Sequence, residues 1–393
     1  MKTLKDAVIV AYGRSPIGRA TKGTLVNEYP VKLATEVLLG VLDKVPNLPL
    51  NEIDDVIVGC STPEDVQGLN MARIIVIRAG LERPELTDEV CGVTVSRFCS
   101  SGLQSIAFAA NEIMADQADI IVAGGVESMS MCPMTVLDLT ALDPKIFKER
   151  AACYLAMGTT AEVLTDMFDV KREDMDKFAL DSHQKASKAQ KEGAFKKEIV
   201  PVTYTDKDGA IDIMKEDECI KHDATYEDMA KLPAAFKENG AVTAGNSSPM
   251  NDGVGFVVMM SADKAAELGI KPIAKFLGYA VAGVSPEMMG IGPVYAVPKL
   301  LNRIGMELDQ FDVIELNEAF AVQSLICVDQ LGIDPAKLNP RGGAIAMGHP
   351  LGATGAILTC KALSYLEDTG GKYGLITMCI GAGMGAAGAI EML

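Results

Sequence analysis

The 393-residue sequence contains no tryptophan, only three histidines and no pair of cysteines in CxxC spacing. The scattered histidines, His183, His222 and His349, argue against a metal site built from several imidazoles. The nine cysteines stand at irregular spacings, which argues against a zinc site and against a disulfide framework. This usage fits thiols in a reducing compartment, and we expect no bound metal.

The sequence also has little positive charge and no long apolar run. Its formal net charge of −17 argues against nucleic acid or an anionic membrane surface as the main partner. No stretch reaches the roughly 18 apolar residues of a membrane span, and the apolar run at residues 7–11 is too short for a signal-peptide core. The tripeptide Glu-Met-Leu at the end is not a peroxisomal address. We therefore expect a cytoplasmic protein without a membrane span.

What the sequence does contain is a repeat. Three N-terminal segments resemble three C-terminal segments in the same order, with Val56 aligned to Val313, Gly102 to Gly352 and Ile121 to Ile376. Each copy has a β-branched strand, a turn rich in glycine and serine, an alanine-rich helix and another apolar strand. This pattern predicts two α/β halves with buried strands, and the length is sufficient for two or three packed units.

Between the two copies the composition becomes charged and amphipathic. The segment "REDMDKFALDSHQKASKAQ" places Met175, Phe178, Ala179 and Ala186 near one helical face, which predicts a helix that lies on the core. We expect this insert to form a lid, where substrate contacts are common. The expected division is residues 1–125 for the first half, 126–244 for the loop domain, 245–270 for a return to the first half, and 271–393 for the second half.

Cys99 and His349 occupy similar places in the two copies. Cys99 follows a strand-like run and precedes a helical pattern, so the helix N-terminus should favour its thiolate. His349 stands in the glycine-rich "GGAIAMGHPLGATGA". Most single cysteines and histidines are structural, but the small neighbours leave room for a substrate. A thiolate–imidazole pair is a common means of activating a sulfur nucleophile.

Two further polar groups end apolar strands. Cys379 closes "YGLITMC" and is either a core cysteine or a second acid and base. Asn317 follows "FDVIEL", where α/β proteins often place active-site groups, although a helix N-cap is the competing interpretation.

The segment "GMGAAG" at residues 383–388 matches the dinucleotide-binding pattern GxGxxG. That pattern needs a following helix and strand, and only five residues follow here. The glycines are therefore expected to serve Cys379 instead of a nucleotide.

Seven segments together resemble the thiolase family along essentially the whole chain: "CSSGLQ", "GGVESMS", "TAGNSSPMNDG", "MGIGP", "NEAFAVQ", "GGAIAMGHPLGATGA" and "CIGAGMG". The resemblance implies an α/β thiolase fold, with duplicated halves in a five-layered αβαβα core and an inserted loop domain. It also implies a homodimer or homotetramer. The resemblance leaves open whether the protein binds a partner subunit that carries the preceding hydratase and dehydrogenase activities of β-oxidation.

The resemblance also implies roles for the polar residues. Cys99 would take the acyl group as a thioester, and His349 would activate it and help to bind the thioester oxygen. Cys379 would carry the proton to and from the acetyl-CoA carbon. Asn317 would hold a water that completes one oxyanion site with His349, and the N–H groups of Cys99 and Gly381 would form the second.

Coenzyme A and acyl-CoA are the implied substrates, with no permanently bound cofactor. Positions that match CoA contacts of the family are Lys221, Phe236, Ala244, Ser248, Phe320, Met157 and Met289. Lys221 replaces an arginine that often lies along the adenine, and an ammonium should stack less well than a guanidinium. Ser96, Ala382 and Ala156 also depart from the family pattern, and Ala156 replaces a histidine and leaves room for a longer acyl chain.

These features predict a 3-ketoacyl-CoA thiolase of fatty-acid β-oxidation. The alternative is an acetoacetyl-CoA thiolase that condenses two acetyl-CoA molecules with the same residues. A non-catalytic relative that only binds CoA or lipid should lack Cys99, His349 or Cys379, and all three are present.

Overall fold

Twelve strands and twelve helices make up the described part of the computed structural model, residues 4–134 and 142–393. The strands are β1 Ala7–Arg14, β2 Gly18–Arg19, β3 Asp55–Gly59, β4 Val93–Val95, β5 Ile120–Ser128, β6 Val202–Thr205, β7 Ile211–Met214, β8 Asn251–Ser261, β9 Ala274–Gly283, β10 Val313–Leu316, β11 Tyr373–Ile380 and β12 Met384–Met392. The helices are α1 Pro30–Leu42, α2 Met71–Glu82, α3 Ser101–Met114, α4 Pro144–Glu149, α5 Met157–Phe168, α6 Arg172–Lys191, α7 Tyr226–Ala230, α8 Ala262–Leu268, α9 Gly292–Ile304, α10 Ala321–Leu331, α11 Ala344–Met347 and α12 Leu351–Thr369. Within these ranges every helix is too short or too polar to cross a bilayer.

The strands form two sheets of the same topology that join edge to edge. The order is β4-β3-β5-β8-β1 in the first half and β9-β12-β11-β10 in the second. In each half one central pair, β3 with β5 or β10 with β11, is parallel. In the first half β4 adds a further parallel strand beside β3, and the other neighbours are antiparallel. A short antiparallel contact between β1 and β9 connects the halves. The predicted duplication is confirmed.

Three apolar cores separate five layers. The first core packs α1 and α2 on the outer face of the first sheet, and another packs α9 and α10 on the outer face of the second. The central core contains the inner faces of both sheets together with α3 and α12, whose residues are almost all buried. Two helices enclosed between sheets must be apolar on all sides, which explains their small-residue sequences. The predicted αβαβα arrangement is confirmed.

The strand register corrects one of the three repeat alignments. Val56 lies opposite Val122 in the first half, and Val313 lies opposite Gly374 in the second. If Val56 corresponds to Val313, then Val122 corresponds to Gly374, so the alignment of Ile121 with Ile376 is wrong by three residues. Apolar β-branched runs resemble one another at several offsets, and only the hydrogen-bond ladder fixes the correct one.

The chain between β5 and β8 carries α4 to α7 and the β6–β7 hairpin. We propose this insert as the separate loop domain; its residues 135–141 lie outside the described residues. The predicted amphipathic helix is confirmed as α6, with Met175, Ala179 and Ala186 buried. Arg14 of β1 is fully buried and binds Glu198 and Asp217 of the insert at 2.8 and 2.7 Å.

The central packing leaves no room for a side chain at Gly125. A Cβ atom there would overlap the carbonyl oxygen of Gly352, and a backbone atom cannot move away. We expect Gly125→Ala to lower the free energy of unfolding by about 2–3 kcal/mol, measured by urea denaturation. Gly283→Ala is the control, because a Cβ there meets nothing within 4 Å, and it should change stability by less than about 0.5 kcal/mol. Equal effects of the two variants would contradict the packing described here.

Candidate active site

Cys99 lies in a strained turn that leads into α3. Phe98–Ser100 form a 3₁₀ turn, and Phe98 has a φ of 45°, in the left-handed region that costs a non-glycine residue about 1–2 kcal/mol. Ser101 holds the turn: its Oγ accepts the N–H of Arg97 at 2.8 Å and donates to the carbonyl of Phe98 at 2.7 Å. The thiol therefore lies at the start of the helix, as predicted.

The thiol is nevertheless not a ready thiolate. Burial raises the pKa of Cys99 to about 11, although the backbone N–H groups of Gly381 and of Cys99 itself lower it. The N–H groups favour the thiolate as expected, but desolvation outweighs them. At neutral pH Cys99 keeps its proton, so its reaction needs a base.

His349 has the hydrogen bonds expected of such a base. Its Nδ1 lies 2.6 Å from Thr354 Oγ1, which donates its own hydrogen to the carbonyl of Pro350 at 3.0 Å. With that donation, Thr354 accepts from the imidazole N–H at Nδ1, and the lone pair left on Nε2 faces the amide nitrogen of Asn317. Burial lowers the pKa of His349 to about 4, so the ring is neutral. The backbone N–H of His349 donates to Asn251 Oδ1 at 2.9 Å.

Asn317 lies beside this lone pair. Its Nδ2 is 3.3 Å from Nε2 of His349, and its own N–H donates to the carbonyl of Thr377 in β11. Its buried Oδ1 has no hydrogen-bond partner in the described part of the chain. The N-cap interpretation is wrong, because α10 begins at Ala321 with Phe320 as its N-cap.

Cys379 lies near Cys99. It is buried in one apolar cluster with Met289 and Phe320, and Met157 packs against this cluster. Burial, and then the nearby Cys99, raise the pKa of Cys379 well above its usual value. The thiol is therefore protonated at neutral pH, and a carbanion is a strong enough base to take that proton.

The turn after Cys379 directs the backbone N–H of Gly381 toward Cys99. Ala382 has a φ of 61° and Gly383 a φ of 83°, so this three-residue connection between β11 and β12 is left-handed at both positions. The N–H of Gly381 still points to the sulfur of Cys99. Ala382 therefore replaces the usual glycine without turning Gly381 away. The GxGxxG segment runs along strand β12 instead of opening a helix.

The residues that match CoA contacts follow one path outward. The rings of Phe320 and Phe236 meet edge to face, with centroids 6.1 Å apart. The N–H of Ser248 donates to the carbonyl of Ala319 at 3.0 Å, beside Phe320. Ala244 is exposed farther out along the same segment.

Lys221 lies at the outer end, away from the reactive sulfurs. It is exposed and lines a surface cavity of about 370 Å³ that Leu232 also lines. A Cβ on Gly245 would touch Leu232, so this cavity lies beside the segment of Ala244. The described residues contain no cluster of three or more His, Cys, Asp or Glu side chains that could hold a metal ion.

Thr354 and Asn251 were not predicted from the sequence. Thr354 stands five residues after His349, and its position in the first turn of the helix that follows is the only available signal. Asn251 is distant in the sequence and shows no signal before the fold is known. Ser96 donates to the carbonyl of Ser61 at 3.2 Å and so supports the segment before Cys99.

Thr354 provides a test of the imidazole geometry. We expect Thr354→Val to lower kcat for cleavage of a 3-oxoacyl-CoA about 10- to 100-fold, because a buried N–H without an acceptor costs about 1–3 kcal/mol. The matched control is Thr359→Val. Thr359 is buried in the same helix and makes the same bond to the carbonyl four residues before it, at 2.8 Å. Equal kcat values for the two variants would show that Thr354 does not orient the imidazole of His349.

The chain matches known proteins over its whole length. The family models "Thiolase, N-terminal domain" and "Thiolase, C-terminal domain" match residues 7–263 and 270–392. The chain is 45% identical to the 3-ketoacyl-CoA thiolase of Bacillus subtilis (strain 168), over 99% of this chain and 100% of the relative. It is 42% identical to the peroxisomal 3-ketoacyl-CoA thiolase A of Mus musculus, over 98% and 91%. The crystal structure of the Bacillus anthracis acetyl-CoA acetyltransferase covers 100% of both chains with a TM-score of 0.91 and 37% identity. The five-layered arrangement is therefore the thiolase fold, and the chain is a member of the thiolase family.

Proposed function

We propose that the protein cleaves 3-oxoacyl-CoA with coenzyme A to give acetyl-CoA and an acyl-CoA two carbons shorter. The observation that carries this proposal is that Cys99 of the first half lies near Cys379 of the second half and shares an apolar cluster with Leu351, two residues after His349. The N–H of Gly381, two residues after Cys379, points to Cys99, while Asn317 lies at 3.3 Å from His349. The names of the relatives from Bacillus subtilis and Mus musculus support the same reaction.

The first half of the reaction forms an acyl-enzyme. The sulfur of Cys99 attacks the 3-oxo carbon while its proton passes to Nε2 of His349, since the raised thiol pKa and lowered imidazole pKa disfavour transfer before attack. The bond between C2 and C3 then breaks, and its electron pair becomes the enolate of acetyl-CoA. The new Nε2–H of His349 donates to the enolate oxygen together with a water on Asn317. The thiol of Cys379 gives its proton to C2, and acetyl-CoA leaves.

The second half returns the enzyme to its starting state. The thiolate of Cys379 takes the proton of coenzyme A, whose sulfur attacks the thioester on Cys99. The oxyanion of this step accepts hydrogen bonds from the N–H groups of Cys99 and Gly381. The Cys99 sulfur leaves and recovers its proton from His349. The Cys99 proton thus returns to its origin through His349, and Cys379 replaces the proton it gave to C2 with that of coenzyme A.

The alternative is an acetoacetyl-CoA thiolase. The similarity to the Bacillus anthracis acetyl-CoA acetyltransferase favours it, and the residues above would catalyse both reactions. We prefer the longer substrates because Ala156, the N-cap of α5 directly before Met157, is small and exposed to solvent.

Thiolysis rates over a series of chain lengths test this choice. We expect kcat/KM for 3-oxo-octanoyl-CoA to equal or exceed that for acetoacetyl-CoA, measured by loss of the 3-oxoacyl-CoA absorbance. A steep fall with length would favour the alternative. Cys99→Ala should abolish thiolysis of every substrate, and thiolysis that survives this change would overturn the mechanism.

We propose further that the protein is a homodimer through the β4 edge of the first sheet. In the described part of the chain β4 has a paired strand on one side only. Large apolar side chains are exposed around it: Leu69 at 92%, Leu81 at 82%, Phe98 at 44%, Ile77 at 43%, and Ile74 and Val93 at 40%. An unpaired strand edge beside exposed apolar groups fits an identical edge on a second copy.

Val93→Lys tests the dimer. A charge on the shared edge should convert the protein from dimer to monomer in sedimentation-velocity experiments. Ile211→Lys is the control, because Ile211 is an equally apolar strand residue, 78% exposed, on the β6–β7 hairpin. A wild-type protein that sediments as a monomer, or a dimer unaffected by Val93→Lys, would contradict the assignment.

A further inference from the structure

Glu127 is a buried carboxylate that connects the two halves. It is 1% exposed near the end of β5. Its Oε2 accepts the backbone N–H of Ser61 at 2.7 Å and that of Gly352 at 2.8 Å. Its Oε1 accepts the side-chain amide of Gln67 at 2.9 Å, and the thiol of Cys60 lies 3.8 Å away. All four groups are donors, so Glu127 serves as an acceptor only.

One bond of Glu127 ends at the helix that carries the histidine. Gly352 lies in the first turn of α12, which has Pro350 as its N-cap and no side-chain cap of its own. Glu127 therefore supplies the missing cap from the other half of the molecule. His349 directly precedes Pro350, and Thr354, which holds the imidazole, lies two residues after Gly352.

The bond from the N–H of Ser61 to Glu127 ends beside the segment that supports Cys99. Ser61 directly follows Cys60, whose N–H donates to the carbonyl of Val95 at 2.9 Å. The carbonyl of Cys60 lies 3.3 Å from the hydroxyl oxygen of Ser101, whose single hydrogen goes to the carbonyl of Phe98 at 2.7 Å and holds the turn there. A single carboxylate oxygen thus ties the support of Cys99 to the helix that follows His349.

The strand register gives Glu127 a counterpart in the second half. Glu127 is the next-to-last residue of β5, and Cys379 is the next-to-last residue of β11. Each lies opposite a glycine of the following antiparallel strand, Gly253 and Gly385. Cys379 lies beside the start of the helix after Cys99, and Glu127 lies beside the start of the helix after His349. The two halves therefore place different residues at equivalent positions, Glu127 in the first half and Cys379 in the second.

We propose that Glu127 is a positioning residue that sets the placement of His349 relative to Cys99. The inference rests on the proposed roles of these two residues. Glu127 contacts none of the groups proposed to bind CoA, so its loss should lower kcat and leave the KM for coenzyme A nearly unchanged. A misplacement of about 1 Å in a catalytic pair costs about 100-fold in rate.

Three variants of the full-length protein separate this role from general stability. Glu127→Met has a similar volume but no acceptor, and should lower kcat about 10- to 100-fold with the KM for coenzyme A within about twofold. Glu127→Gln restores an oxygen for the N–H groups of Ser61 and Gly352, and should recover kcat to within about fivefold of wild type. Glu28→Met is the control: Glu28 is 5% exposed and accepts the N–H of Thr205 at 2.7 Å, far from the site. It should retain kcat within twofold.

Comparing kcat for Glu127→Met and Glu127→Gln shows whether Glu127 acts through its hydrogen bonds or through its charge. Burial is the main cause of the raised pKa of Cys99, and the negative charge of Glu127 adds to it. Both substitutions remove that charge, so equal kcat values for them would overturn the positioning role. A loss of kcat in Glu28→Met as large as that in Glu127→Met would also overturn it.

Gly352→Ala keeps the inference testable if Glu127→Met does not fold. A Cβ there would lie 2.5 Å from the nitrogen of Ser61 and 2.7 Å from Oε2 of Glu127, and so would separate these groups with no change of charge. It should lower kcat as Glu127→Met does, and a kcat within twofold of wild type would contradict the proposal. Full activity in Cys99→Ala would instead refute the proposed function, which separates that failure from a failure of Glu127.

Discussion

Contact between two glycine-bearing helices in the middle of the molecule is the constraint on which the site depends. A Cβ on Gly102 of α3 would lie 2.8 Å from the carbonyl oxygen of Gly352 in α12, and one on Gly355 would overlap the backbone of Leu103. The helices can therefore pack backbone to backbone, which larger residues forbid. Because α3 begins after Cys99 and α12 begins after His349, this contact fixes where the thiol and the imidazole meet.

Burial then decides the protonation of each group. The same enclosure raises the pKa of Cys99 and Cys379 and lowers that of His349, so all three rest in their neutral forms. A resting site without charges needs no counter-ions in the core. It also ties proton transfer to the arrival of a substrate, whose developing oxyanion can be stabilised by the waiting N–H groups.

Much of this arrangement follows from the sequence, and the failures have physical reasons. The repeat and the motifs predicted the duplicated fold and the equivalence of Cys99 and His349, because glycine-rich turns and apolar periods are local features. The raised pKa of Cys99 was not predicted, since a helix N-terminus is visible in the sequence whereas the loss of solvent around it is a property of the packed core. The cap of α12 by Glu127 was missed for a similar reason, because its two partners lie 66 and 225 residues away along the chain.

The buried ion pairs of Arg14 have a consequence for motion. Removing a partner from such a pair costs roughly 3–5 kcal/mol, and a state that breaks it would be populated below about 1% of the time. Glu198 and Asp217 thus hold the insert to β1 as one body during turnover. We expect a ligand that passes the Phe236 and Phe320 rings to do so while the insert stays attached to β1. Its entry would then depend on rotation of these side chains, which is faster than the swing of a hinged domain.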